Sequence, residues 1–164
     1  MRKKIIVRKT KTGDLGFYGQ LFAGDKILSF CDVRRTFVLG EVIEEVCEHI
    51  SEFIEVNGMA FPSDTMFFTK DRGWESLKDT LRIRAQILTE NGTWETINSV
   101  KNFRPLMPLY YCGYVIGPTR VLSVNGLMTA NRYELEHRDR AGYRDSLGAF
   151  VTTTPQQDST FVLA

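Results

Sequence analysis

Residues able to do chemistry are sparse in this chain, and histidine is the scarcest, with two among 164 residues. His137 precedes Asp139 by two positions. In an extended strand the pair shares a face, as two ligands of a facial-triad iron site do. The second histidine of such a triad would have to be His49, far away in sequence. Neither an iron nor a zinc site is therefore expected, and no cofactor is implied.

Cys31, Cys47 and Cys112 are odd in number and widely spaced, with no C-x-x-C pair. That pattern argues against a disulfide framework and for a reducing, cytoplasmic setting. Cys47 stands among apolar neighbours and reads as a small core residue. Cys31, in LSFCDV, is followed by Asp32, Arg34 and Arg35, and nearby guanidinium groups lower a thiol pKa. It is the one candidate nucleophile. Glycine-rich phosphate loops, the G-x-S-x-G elbow, S-x-x-K and H-E-x-x-H are all missing. Catalytic residues stay unassigned, and the reading leans away from an enzyme.

Arginine carries more information. Beyond Lys101 the chain has no lysine, yet it keeps Arg104, Arg120, Arg132, Arg138, Arg140 and Arg144. Arginine suits planar, two-pronged contact with phosphate or carboxylate and stacking on aromatic rings. Tyr110, Tyr111, Tyr114, Tyr133 and Tyr143 share the region. The expected binding set is Arg34, Arg35, Arg82, Arg84, Arg120, Arg132, Arg138 and Arg140, with Tyr133 and Tyr143. Its ligand would carry phosphate, either a small nucleotide or a nucleic acid, and would be bound without catalysis. Pairing of the same arginines with Glu134, Glu136, Asp139 and Asp145 is the competing account.

Two other functions compete with ligand binding. In one, the chain is a homo-oligomeric assembly or partner-binding protein, its basic N-terminal strand meeting an acidic helix. In the other, it is a small hydrolase or lyase whose site residues are scattered. Charge separation motivates the former: Arg2 to Lys11 is basic without an acid, and Glu41 to Glu55 is acidic without a lysine or arginine, although the net charge is only +1. A homo-oligomer is expected on the same ground.

These residues need elements to position them. EVIEEVCEHISEFIEV places Val42, Val46, Ile50 and Phe53 with Ile43, Cys47 and Ile54 on one helical face and the glutamates opposite, so a long amphipathic helix is expected at about residues 41–56. Asn57-Gly58 would stop it. Elsewhere strands and turns dominate, with turn signals at Gly13-Asp14, Gly24-Asp25, Asn91-Gly92 and Asn125-Gly126. Leu81 to Val100 reads as a hairpin about Asn91-Gly92, and Trp74 to Lys78 as a short helical turn. Asn131 to Arg140 reads as a strand, with Tyr133, Leu135, His137 and Asp139 on one face.

The expected class is thus α+β, a mainly antiparallel sheet able to curl toward a barrel, with one long helix across it. Residues 1–164 form one domain in this reading, with a loose C-terminal tail from about 152. Ile5, Ile6 and Val7 are too few for a signal peptide, and the run from Pro105 is too short for a span, so no membrane segment is expected.

Overall fold

The computed structural model describes residues 21–78 and 81–138, together with the backbone of Ile5–Ile6 and Thr152–Thr153. In chain order the strands are β1 (Ile5–Ile6), β2 (Lys26–Cys31), β3 (Thr36–Ile50), β4 (Phe53–Val56), β5 (Met59–Pro62), β6 (Thr65–Thr69) and β7 (Gly73–Ser76). There follow β8 (Gln86–Leu88), β9 (Trp94–Thr96), β10 (Val100–Phe103), β11 (Leu109–Gly117), β12 (Val121–Val124) and β13 (Leu127–Asn131), then helix α1 (Arg132–Glu136) and β14 (Thr152–Thr153). Three sheets result. One runs β1-β2-β3-β11 with β14 also on β3, a second β10-β4-β5, and the third β12-β13-β6-β8-β9 with β7 on β6.

β6 lies at the centre of the packing. Its sequence TMFFT is buried at every position, as a strand covered on both faces must be. Phe67 and Phe68, being adjacent, point to opposite sides. Phe67 joins Ile54, Val56, Phe61, Ile87, Ile97 and Leu127, whereas Phe68 joins Phe30, Phe37, Leu88, Val121 and Met128. Edge-to-face contact between Phe61 and Phe67 at 5.1 Å and a tilted contact between Phe30 and Phe68 at 4.9 Å fix the two clusters. Each such buried ring contributes about 1.5–3 kcal/mol relative to exposure.

The long helix expected over residues 41–56 does not form. Glu41 to Ile50 are the last two thirds of β3, and Phe53–Val56 is β4. All of β11 registers antiparallel against Glu41 to Ile50, from Gly117 opposite Glu41 to Leu109 opposite Ile50. This long-range ladder prevails over local spacing, helped by β-branched Val42, Ile43, Val46 and Ile50, which lose rotamer freedom in a helix. A bulge explains the helical appearance. Val42 pairs with Ile116 and Glu44 with Val115, so Ile43 is the inserted residue, and the inserted residue interrupts strict two-residue alternation. The fold is nearly all β rather than α+β. Among the described residues α1, of five residues, is the only helix.

Other local readings change with it. Asn57 (φ 51°) and Gly58 (φ 84°) are not a helix stop but the two-residue turn between β4 and β5, where Val56 pairs with Met59. Asn125 (φ 53°) and Gly126 (φ 84°) do the same between β12 and β13, the left-handed pair that a type I′ hairpin requires. Near Asn91-Gly92 the loop spans Thr89 to Thr93, so Leu88 opposes Trp94, one position off the two-residue register. Gly73–Ser76 is strand, not helical turn. Conversely Arg132–Glu136 is helix rather than strand, because Asn131 caps it by accepting from the Glu134 N–H, the arrangement asparagine favours at a helix start.

Cys47 and Cys112 face each other across β3 and β11 and are bonded, with Cα atoms 4.0 Å apart. The cysteine spacing argued against a disulfide, since it could not reveal that these strands pair. Cys31 is a buried free thiol. The basic block Arg2 to Lys11 lies outside the described residues apart from the Ile5–Ile6 backbone, as does Gly13-Asp14. Of the expected tail, only Thr152 and Thr153 are described, paired with Val38 and Phe37. Among the described residues no helix is long and apolar enough to cross a membrane.

Candidate functional site

Beyond Val42, β3 and β11 run on as a two-stranded ribbon, and alternate residues of a strand share a face. Val46, Glu48 and Ile50 of β3 with Tyr111 and Gly113 of β11 make one wall of a cleft of about 470 Å³. The opposite wall comes from Pro62, Asp64 and Thr65 ahead of and within β6, and from Thr129, Ala130 and Asn131 at the end of β13. Register joins these: Asn131 pairs with Thr65, and Ala130 with Met66. Tyr133 and Glu134 of α1, with Arg120, complete the rim.

The polar lining is mostly hydroxyl, amide and carboxylate. Glu48, Asp64 and Glu134 bring three negative charges and Arg120 one positive charge. Arg120 sits in the left-handed region at φ 64°. Its Nε lies 3.3 Å from Glu134 Oε1, and its Nη1 donates to the Ile116 carbonyl at 3.4 Å. Thr129 Oγ1 donates to the Leu122 carbonyl. Asn131 Oδ1 is engaged at the helix start at 3.2 Å. Burial, and then the neighbouring Asp64 carboxylate, hold the Tyr111 phenol well above its usual range, so it stays a neutral hydrogen-bond donor near pH 7.

Among the described residues this lining holds neither cysteine nor histidine. Cys31 is buried, with the Arg34 N–H directed at its sulfur at 3.2 Å. Cys47 and Cys112 are bonded to each other. The His49 ring packs on Tyr110 at 5.2 Å, and the His137 ring stacks on Tyr133 at 4.0 Å with Nδ1 2.8 Å from the Tyr133 carbonyl. No histidine therefore stands poised beside a thiol. Asp139 of the H-x-D spacing lies outside the described residues.

The arginines expected to form one binding set are dispersed. Arg120 and Tyr133 line the cleft. Arg138 is buried, donating Nη2 to Asp32 at 2.7 Å and Nη1 to the Thr119 carbonyl at 3.2 Å. Arg132 reaches Ser76 Oγ at 3.1 Å. Arg35 lies over the Phe68 ring at 5.0 Å, and Arg34 is exposed in the same turn. Arg82 and Arg84 share a shallow groove with Lys70 and Arg72 and with the acids Asp71 and Glu75. Arg140 and Tyr143 fall outside the described residues. Sequence reasoning passed over Asp64, Thr65 and Asn131 as site residues. One local signal existed for Asn131, its position three residues before Glu134 in N-x-x-E, which marks a helix start.

No protein-family model matches the chain, and no curated protein sequence matches it. Solved structures do. A bacterial intein-like domain from Clostridium thermocellum superposes with a TM-score of 0.61 at 15% identity, covering 80% of this chain and 100% of the neighbour. A DnaB intein from Synechocystis sp. PCC 6803 gives 0.59 at 11% identity, over 76% and 94% of the two chains. The gp41-1 intein gives 0.55 at 12%, over 77% and 95%. At these identities the likeness is one of fold, and the fold is intein-like. It overturns the expected nucleotide- or nucleic-acid-binding protein, and neither the assembly protein nor the scattered-residue hydrolase or lyase fits it. The three carboxylates around the cleft agree, since they would repel a phosphate.

Proposed function

We propose that this chain is an intein-like domain whose cleft receives extended polypeptide and binds it without breaking it. Inteins are self-splicing protein domains, so the fold is one that handles peptide backbone. The observation that carries the reading is how β11 enters the cleft. Gly113, Tyr114 and Val115 line it consecutively, although successive strand residues face opposite ways; the strand is therefore presented edge-on. Among the described residues β11 pairs only with β3. Asp64, Thr65, Tyr111 and Asn131, set along the cleft beside β11, supply polar groups suited to the amides of an extended segment.

Binding without cleavage follows from the groups at hand. Opening a peptide bond needs a nucleophile with a base in reach, and among the described residues the lining contains neither a cysteine nor a histidine to supply them. The test is the full chain carrying a folded reporter at each end, followed by intact mass over several days. An unchanged mass is expected; joined reporters, or a break after Asn131, would overturn the reading. Hydrogen exchange with extended peptides checks the binding half: slowed exchange of β11 amides supports it, and unchanged exchange removes it.

We also propose a cytosolic location, a setting in which the Cys47–Cys112 bond is uncommon; fractionation with thiol labelling tests it, and a bond that persists in the cell would end the proposal. A homo-oligomeric state is proposed on the exposure of Ile43, Val46, Leu106, Met107 and Tyr110 along and beside the β3–β11 ribbon. Light scattering that returns a monomer at micromolar concentration would end that proposal.

A further inference from the structure

The ribbon face turned away from Val46, Glu48 and Ile50 carries a second constellation. Register sets Glu45 opposite Tyr114, Cys47 opposite Cys112 and His49 opposite Tyr110. Alternation puts Glu45, Cys47 and His49 on the same side of β3. One ligand atom each from Glu45, Cys47 and Cys112 lies within 4.8 Å of the other two. Glu45 is exposed and both cysteines are half-buried, so solutes reach them. Two sulfurs and a carboxylate on a rigid ladder suit a borderline-soft, tetrahedral cation such as zinc, whereas calcium and magnesium prefer all-oxygen sets.

We propose that, once the Cys47–Cys112 bond is reduced, this face binds one thiophilic divalent cation of the zinc type, making the cysteine pair a redox-gated metal site. A dithiol reductant supplies two electrons and two protons to the Sγ–Sγ bond. It leaves as its own disulfide, and Cys47 and Cys112 become thiols. The cation then displaces both thiol protons to solvent and is held by two thiolates and the Glu45 carboxylate. Water fills the fourth position. In the oxidised form the sulfurs are bonded to each other and carry no thiolate charge, so the cation is not held.

Cobalt(II) tests this on the full chain, reduced with a phosphine that does not itself chelate strongly. Sulfur-to-cobalt charge-transfer absorption is expected to saturate at one equivalent and to vanish on adding zinc. It should be absent from the oxidised chain and from Cys47→Ser or Cys112→Ser, yet retained in Cys31→Ser. Glu45→Gln should keep the band but weaken binding about tenfold or more. A folded, reduced chain without the band would overturn the proposal, as would a band that survives Cys112→Ser. A reduced chain that unfolds and does not refold with zinc would overturn it too, because binding to the native state must stabilise it.

Discussion

Arg138 and Asp32, 106 positions apart in sequence, form an ion pair at 2.7 Å with side chains only 5% and 10% exposed. Asp32 lies in the turn between β2 and β3, and its Oδ2 also accepts from Trp74 Nε1 at 2.8 Å. The carboxylate thus ties the segment after α1 to two distant parts of the fold. Removing one partner of a buried pair strands the other charge, at about 3–5 kcal/mol. Asp32→Ala should lower the unfolding free energy measured in urea by that order. A loss below about 1 kcal/mol, the range of an exposed pair, would show that the contact does not persist in solution.

Asn57 offers a second test, since one side chain joins two sheets. Its Nδ2 donates to Glu95 Oε2 at 2.9 Å and to the Thr96 carbonyl at 3.0 Å, while Oδ1 accepts from the Asn98 and Ser99 N–H groups at 2.8 and 3.2 Å. Its backbone is left-handed at φ 51°. Asn57→Gly keeps the backbone geometry available and deletes four hydrogen bonds, so it isolates the side-chain contribution, expected at about 2–6 kcal/mol if each bond is worth about 0.5–1.5. Asn57→Ala should cost more, because it adds left-handed strain. Equal midpoints for Gly and Ala in urea unfolding would contradict this division.

What the sequence reveals locally is the turn chemistry and the buried run. Asn125-Gly126 specifies a hairpin within four residues, and TMFFT signals a strand with no wet face. The partner of a strand is not local information. Residues 41–50 satisfy a helical period on paper because Ile43 is an inserted bulge residue, and only β11, arriving after Pro108, decides the matter. The same holds for the cleft. Asp64, Thr65, Tyr111 and Asn131 carry no motif, and they meet through the β13–β6 and β11–β3 registers. The segment from Asn131 onward reads equally as arginines free for an anion or paired with their neighbours Glu134, Glu136, Asp139 and Asp145, yet Arg138 is held by the distant Asp32 and Arg120 lies beside Glu134. Such pairing depends on burial, which charge counting does not see.

Gly40 marks a close approach of the β3 backbone to the core. A Cβ there would stand 2.5 Å from Ile116 Cγ2 and 3.0 Å from Ser29 Cβ, both on fully buried residues. Gly40→Ala is expected to cost about 1–3 kcal/mol through overpacking. Gly117→Ala is the control: its nearest atom, at 2.6 Å, is Cδ1 of Ile43, a flexible end on a side chain 46% exposed. That end can swing aside, so the change should stay within about 0.5 kcal/mol. Thermal midpoints of the two variants that coincide would refute the packing argument.

Tyr111 gives the chain a defined alkaline sensitivity. Burial first, and the Asp64 carboxylate second, raise its phenol above the ordinary value of 10.0. Below about pH 10 the phenol is neutral in both folded and unfolded chains, and its contribution to stability is fully present. Above that, the unfolded chain releases the proton while the folded chain retains it, so the unfolded state gains and stability falls as pH rises toward the raised value. Tyr111→Phe has no proton to release, and its stability should decline less steeply above about pH 10, by up to one proton in the linkage slope. Asp64→Asn should recover a smaller part of the same difference, since the carboxylate is the lesser cause. Urea unfolding of the three proteins at a series of alkaline pH values measures this directly, and parallel curves for wild type and Tyr111→Phe would show that the phenol is not desolvated in the cleft.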